Sequence, residues 1–161
     1  MPLEHIPHPR ARTLQEVTPP QQWQVQRTGW DELEQLLDLE EMIALKSRER
    51  RTFLRQIGRA YVDAQDPKSS LTDRVHDLDQ EIESLEAEKA SLHTQYRLLI
   101  RHALGEVFQE GELETQKSDE IETYLRHRED GARTQLSLTR ALTRGLEKLR
   151  QQENASPRTE A

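Results

Sequence analysis

The chain has 161 residues, of which 33% are hydrophobic, 33% charged and only 4% aromatic, and it carries a formal net charge of -7. That is little apolar side chain for a compact globule of this length, and it fits helices that each bury a narrow stripe. The lack of cysteine excludes disulfides, thiolate metal sites and cysteine nucleophiles, and the acidic balance argues against a general nucleic-acid binder.

Residues 1–28 read as a flexible arm rich in Pro and Gln, because Pro2, Pro7, Pro9, Pro19 and Pro20 interrupt any helical period. Within it, Trp23 either pins the arm to a helical body or anchors a partner pocket. The N-terminal residues lack the apolar stretch of a secretory signal. No apolar run approaches the roughly 18 residues that span a bilayer, so no membrane span is expected and the expected location is the cytoplasm.

The first helix is expected over 30–65, with Asp31, Glu32 and Glu34 supplying the negative charge that a helix N-terminus favours. Its seam reads Leu36, Leu39, Ile43, Lys46, Arg50, Phe53, Ile57, Ala60 and Ala64. Beside the seam lie Leu33, Leu37, Leu54 and Tyr61, which widen the stripe and ask for a third element. Asp66-Pro67 breaks the helix, and Ser70 with Asp73 resembles a capping box.

The second helix is expected over 70–109, on an unbroken heptad seam of Leu71, Val75, Leu78, Ile82, Leu85, Lys89, Leu92, Tyr96, Leu99 and Ala103. A tight loop around Pro67 pairs the two seams antiparallel. Leu36 then meets Leu99, Leu39 meets Tyr96, and Phe53 meets Ile82. One layer brings Lys46 onto Lys89 beside Arg50. That layer is either a polar, register-fixing one or a basic spot for an acidic partner.

The third helix is expected over 118–151, with Ile121, Leu125, Ala132, Leu136, Leu142, Leu146 and Leu149 as its apolar positions. The polar stretch Arg126–Gly131 should pack least firmly. Residues 152–161 read as a disordered tail. The fold class is therefore all-α: an elongated antiparallel coiled-coil hairpin plus a third long helix, three-helix bundle-like, in one helical domain at 29–151. The third helix closes the bundle either within the chain or across a homodimer.

Catalytic constellations are missing from the sequence. There is no glycine-rich phosphate loop, no nucleophile elbow, no His-Glu-x-x-His motif, and no paired Glu-x-x-His of a di-metal bundle. The chain is not expected to be an enzyme, or to hold a metal or cofactor. The expected function is that of a coiled-coil adaptor, scaffold or assembly factor that recognises protein partners, itself included, through helix faces. Candidate contact residues are Trp23, Trp30, Leu33, Leu37, Leu104, Val107 and Phe108, a cluster that reads either as a partner surface or as the core on which the third helix docks. A nucleic-acid-associated role would instead use the basic face of Arg48, Arg51 and Arg55 on the first helix, although no free aromatic interleaves it for base stacking.

At the hairpin tip, Asp63-Ala-Gln-Asp66-Pro-Lys68 resembles the Asp-x-x-Asp-x-Ala tip of DksA-type regulators, which insert a coiled coil into the RNA polymerase secondary channel. The likeness covers six residues, has Lys68 in place of the family's Ala, and lacks its zinc-binding cysteines. It implies that Asp63 and Asp66 act at the polymerase metal site. In size, charge richness and paired long helices the chain is also similar to FliJ-type export-apparatus stalk proteins.

Overall fold

The computed structural model describes residues 10–63 and 69–155. These residues form an all-α protein. A 3₁₀ turn at Leu14–Glu16 precedes α1 (Pro19–Arg27), α2 (Trp30–Val62) and α3 (Ser69–Val107), and a second turn at Leu113–Thr115 precedes α4 (Ser118–Ala155). Among the described residues there is no strand, and one parallel bridge joins Ala11 to Phe108. The helical chain divides into two compact units. Among the described residues the first combines 10–28 with 100–155, and the second lies within Gly29–Leu99.

Residues 10–28 are folded, which corrects the reading of 1–28 as a flexible arm. Pro19 and Pro20 open α1 at its first two positions, where a helix has no use for the missing N–H and the fixed φ is already helical. Thr18 completes a capping box: the Gln21 N–H donates to Thr18 Oγ1 at 3.4 Å, and the Thr18 N–H donates to Gln21 Oε1 at 2.9 Å. Thr18→Ala is expected to cost about 1 kcal/mol, read as a lower urea midpoint with unchanged slope. Upstream, the Ala11 N–H donates to the Val107 carbonyl at 2.8 Å, and the Gln109 N–H donates back to Ala11 at 3.0 Å.

The first unit buries Ala11, Val17 and Val25 together with Ile100, Ala103, Leu104, Val107 and Phe108. From α4 it adds Ile121, Leu125, Ala132 and Leu136, and α4 packs on α1. The first half of the third helix thus closes within the chain, against an element the sequence reading had left unfolded. In the stretch Arg126–Gly131, expected to pack least firmly, Arg126, His127 and Asp130 are exposed while Arg128 and Gly131 are half-buried. Glu129 is buried, with Arg133 Nε 3.6 Å from its carboxylate. A Cβ on Gly131 would lie 3.1 Å from Gln26 Nε2, so the glycine is what lets the buried Gln26 amide approach the helix.

The second unit pairs α2 with the first part of α3, antiparallel, and the seam residues are those withdrawn from water. Leu36, Leu39, Leu78 and Tyr96 are buried, and the remaining seam positions of both helices are half-buried where described. Leu54 and Tyr61, which asked for a third element, are instead exposed. The register differs from the expected layers by about one heptad. Lys46 Nζ meets Glu81 at 2.7 Å, Arg50 meets Asp79, and Lys89 Nζ lies 3.6 Å from Glu40. A slip of one heptad keeps every a position opposite a d, so the apolar pattern cannot choose between the two registers. The charges can: one register stacks Lys46 on Lys89, whereas the other gives each ammonium a carboxylate. These pairs are substantially exposed and contribute more to register than to stability. The Glu81 carboxyl is held below its ordinary range by its hydrogen bond and attraction to Lys46.

The break between the helices falls slightly earlier than expected: α2 ends at Val62, and Asp63 caps it. Because α3 already includes Ser69, Ser70 lies inside the helix and not at its cap. Ala64 and Asp66 lie outside the described residues.

Candidate functional site

The expected contact residues fall into different environments. In the second unit Leu33 is fully buried, while Leu37 and Trp30 are half-buried. In the first unit Leu104, Val107 and Phe108 are 0%, 5% and 1% exposed. Leu33, Leu104, Val107 and Phe108 are therefore core residues and not a partner-facing surface. Their helical spacing signals burial, and the sequence alone could not say whether a partner or the chain itself covers them. Trp23, at 43% exposure, does reach the surface. Asp63 is exposed at the tip; its proposed companion Asp66 is outside the described residues. Arg48, Arg51 and Arg55 are exposed at helical spacing, whereas Lys46 and Arg50 turn to carboxylates on α3.

The surface that stands out lies on α4. Beyond Leu136 no residue of this helix is buried as far as Ala155. Over that length Leu138, Leu142, Leu146 and Leu149 remain 60%, 69%, 65% and 58% exposed. At about 100° per residue, their spacing of four, four and three gathers them into an arc of about 80°. That arc lies roughly a quarter turn around the helix from the face carrying Ile121, Leu125, Ala132 and Leu136. Length explains why it is open. The nine residues of α1 make about 14 Å of helix, against about 57 Å for the 38 residues of α4.

Lys148 and Arg150 flank the leucines, whereas Arg140 and Arg144 lie across the helix, on the side of Gln151. Arg140, Arg144, Lys148 and Arg150 outnumber Glu147 and Glu153, so this half of α4 is basic within an acidic chain. Leu142, Leu146 and Leu149 were legible in the sequence as apolar helix positions but were assigned to packing, and Leu138 was missed. The signal that distinguishes them is the change of face after Leu136, where the apolar period jumps around the helix.

A second feature of the first unit is an open groove of about 490 Å³, lined by Leu14, Asp119, Thr123, Tyr124 and His127 among others. Arg128 stands over the Tyr124 ring, with 5.1 Å between its guanidinium carbon and the centroid. Burial pushes the Tyr124 hydroxyl above its ordinary pKa, and the Arg128 charge partly offsets this. Among the described residues no group of three or more His, Asp or Glu side chains gathers as a metal ion would require. Nor does any described helix have the length and apolarity to cross a membrane.

A scan against protein-family models finds no match, and searches of the curated proteins and of the solved structures find none either.

Proposed function

We propose that this protein is a non-catalytic helical adaptor or assembly factor of the cytoplasm that binds protein through a helix face, with the second half of α4 as its working surface. The observation that carries the reading is the run of four leucines, each more than half exposed, along one side of a continuous helix. Exposed leucines scattered singly are ordinary, but a contiguous stripe at helical spacing is the form taken by helix-in-groove and helix-on-helix recognition. The leucines supply the buried anchors. Lys148 and Arg150, which flank the leucines, lay their stems along the apolar strip and orient the approach of a partner. Nothing comparable favours the hairpin tip or the Arg48–Arg51–Arg55 face.

The test is site-specific photo-cross-linking in the cells that make the protein. A photoreactive amino acid replacing Leu146 is expected to give a discrete protein adduct. The same group replacing Gln151, which lies on the opposite side of α4, should give little. Equal labelling from both positions, or no adduct from Leu146, would contradict the assignment of this face.

A further inference from the structure

Four leucines need an occupant, and one glycine suggests which. Gly145 lies within α4 on the leucine side, has no positive φ, and would meet nothing within 4 Å if it carried a Cβ. An interior glycine without such a need weakens a helix. The other interior glycine of α4, Gly131, is accounted for by the Gln26 side chain packed against it. Gly145 has no such neighbour. Ala141, one turn earlier, makes a second small position on the same side.

We infer that the second half of α4 pairs antiparallel with the same segment of a second copy of this chain, so that each copy's Leu142 fills the space over the other's Gly145. The inference rests on the adaptor reading and names its partner. In this register Leu138 packs on Leu149, and Leu146 packs over Ala141. Every layer then sets a large side chain against a small one, or leucine against leucine. A parallel pair would put Gly145 against Gly145 and leave a void there.

In area, eight leucines that each withdraw on the order of 100 Å² from water, together with their bordering stems, approach the roughly 1,000 Å² of a specific interface. That is enough for a concentration-dependent dimer but not for an obligate one.

Because the natural chain has no cysteine, the geometry can be read by disulfide trapping in the full-length protein. All the substituted positions are exposed, so folding is not at stake. Under mild oxidation, a mixture of Leu138→Cys and Leu149→Cys chains is expected to form a covalent mixed dimer, while either variant alone couples roughly tenfold less. Gly145→Leu, which should favour an isolated helix, is expected to weaken association roughly tenfold or more in sedimentation equilibrium. Self-coupling of each variant alone as efficient as the mixed coupling would overturn the antiparallel arrangement. A chain that stays monomeric at high concentration while the photo-adduct at Leu146 joins a different polypeptide would overturn self-pairing and leave the adaptor reading standing. Monomer together with no adduct would overturn both.

Discussion

Phe108→Ala should lower the stability of the first unit by about 3–5 kcal/mol, a large share of the roughly 5–15 kcal/mol that holds a typical domain together. The side chain is 1% exposed, and it lies where the end of α3 meets the N-terminal segment. Emptying that volume removes its contacts with the neighbouring core. It also loosens the backbone clasp in which Ala11 donates to Val107 and Gln109 donates to Ala11. The two tryptophans make the effect local: Trp23 reports the first unit and Trp30 the second. In chemical denaturation the Trp23 signal is expected to shift strongly, with Trp30 replaced by Phe so that only Trp23 is followed. A shift worth less than about 1 kcal/mol would mean that Phe108 is not packed as described.

Gly29→Ala is expected to destabilise the second unit by about 2–5 kcal/mol, although it adds one methyl group. Gly29 caps α2 with φ at 76°, a left-handed conformation that costs an L-residue about 1–2 kcal/mol. The added Cβ would stand 2.8 Å from Cδ2 and 3.0 Å from Cε2 of Tyr96, a ring with no exposed surface. The ring cannot swing into solvent without vacating the core, so the second contribution is overpacking, at about 1–3 kcal/mol. Thermal unfolding followed by Trp30 fluorescence measures it. A stabilised variant would show that the glycine is there for neither reason.

The sequence reached the helices more easily than their arrangement. The α3 seam could be read residue by residue because a heptad pattern declares which side of a helix is covered, and those positions are the withdrawn ones. It could not declare the register: a slip of one heptad preserves every apolar layer, and only the pairing of Lys46 with Glu81 and of Lys89 with Glu40 distinguishes the two. Helix α1 was hidden because Pro19 and Pro20 break a helix anywhere except at its start. With α1 unread, Phe108 and Leu104 read either as a surface or as the dock of the third helix. The leucines of α4 pose the opposite question. Their period reads equally as packing within the chain or across a homodimer, and only the shortness of α1 reveals that nothing in the first unit reaches them.

Amide hydrogen exchange along α4, at low and at high protein concentration, tests the central claim most directly. Its first half, from Ile121 to Leu136, should be protected at both concentrations because α1 and the core cover it. Its second half, from Leu138 to Ala155, should exchange quickly in dilute solution and become protected as concentration rises. Strong protection of the second half at every concentration would show the leucine face already covered within one chain, and would contradict its role as the surface through which this protein binds.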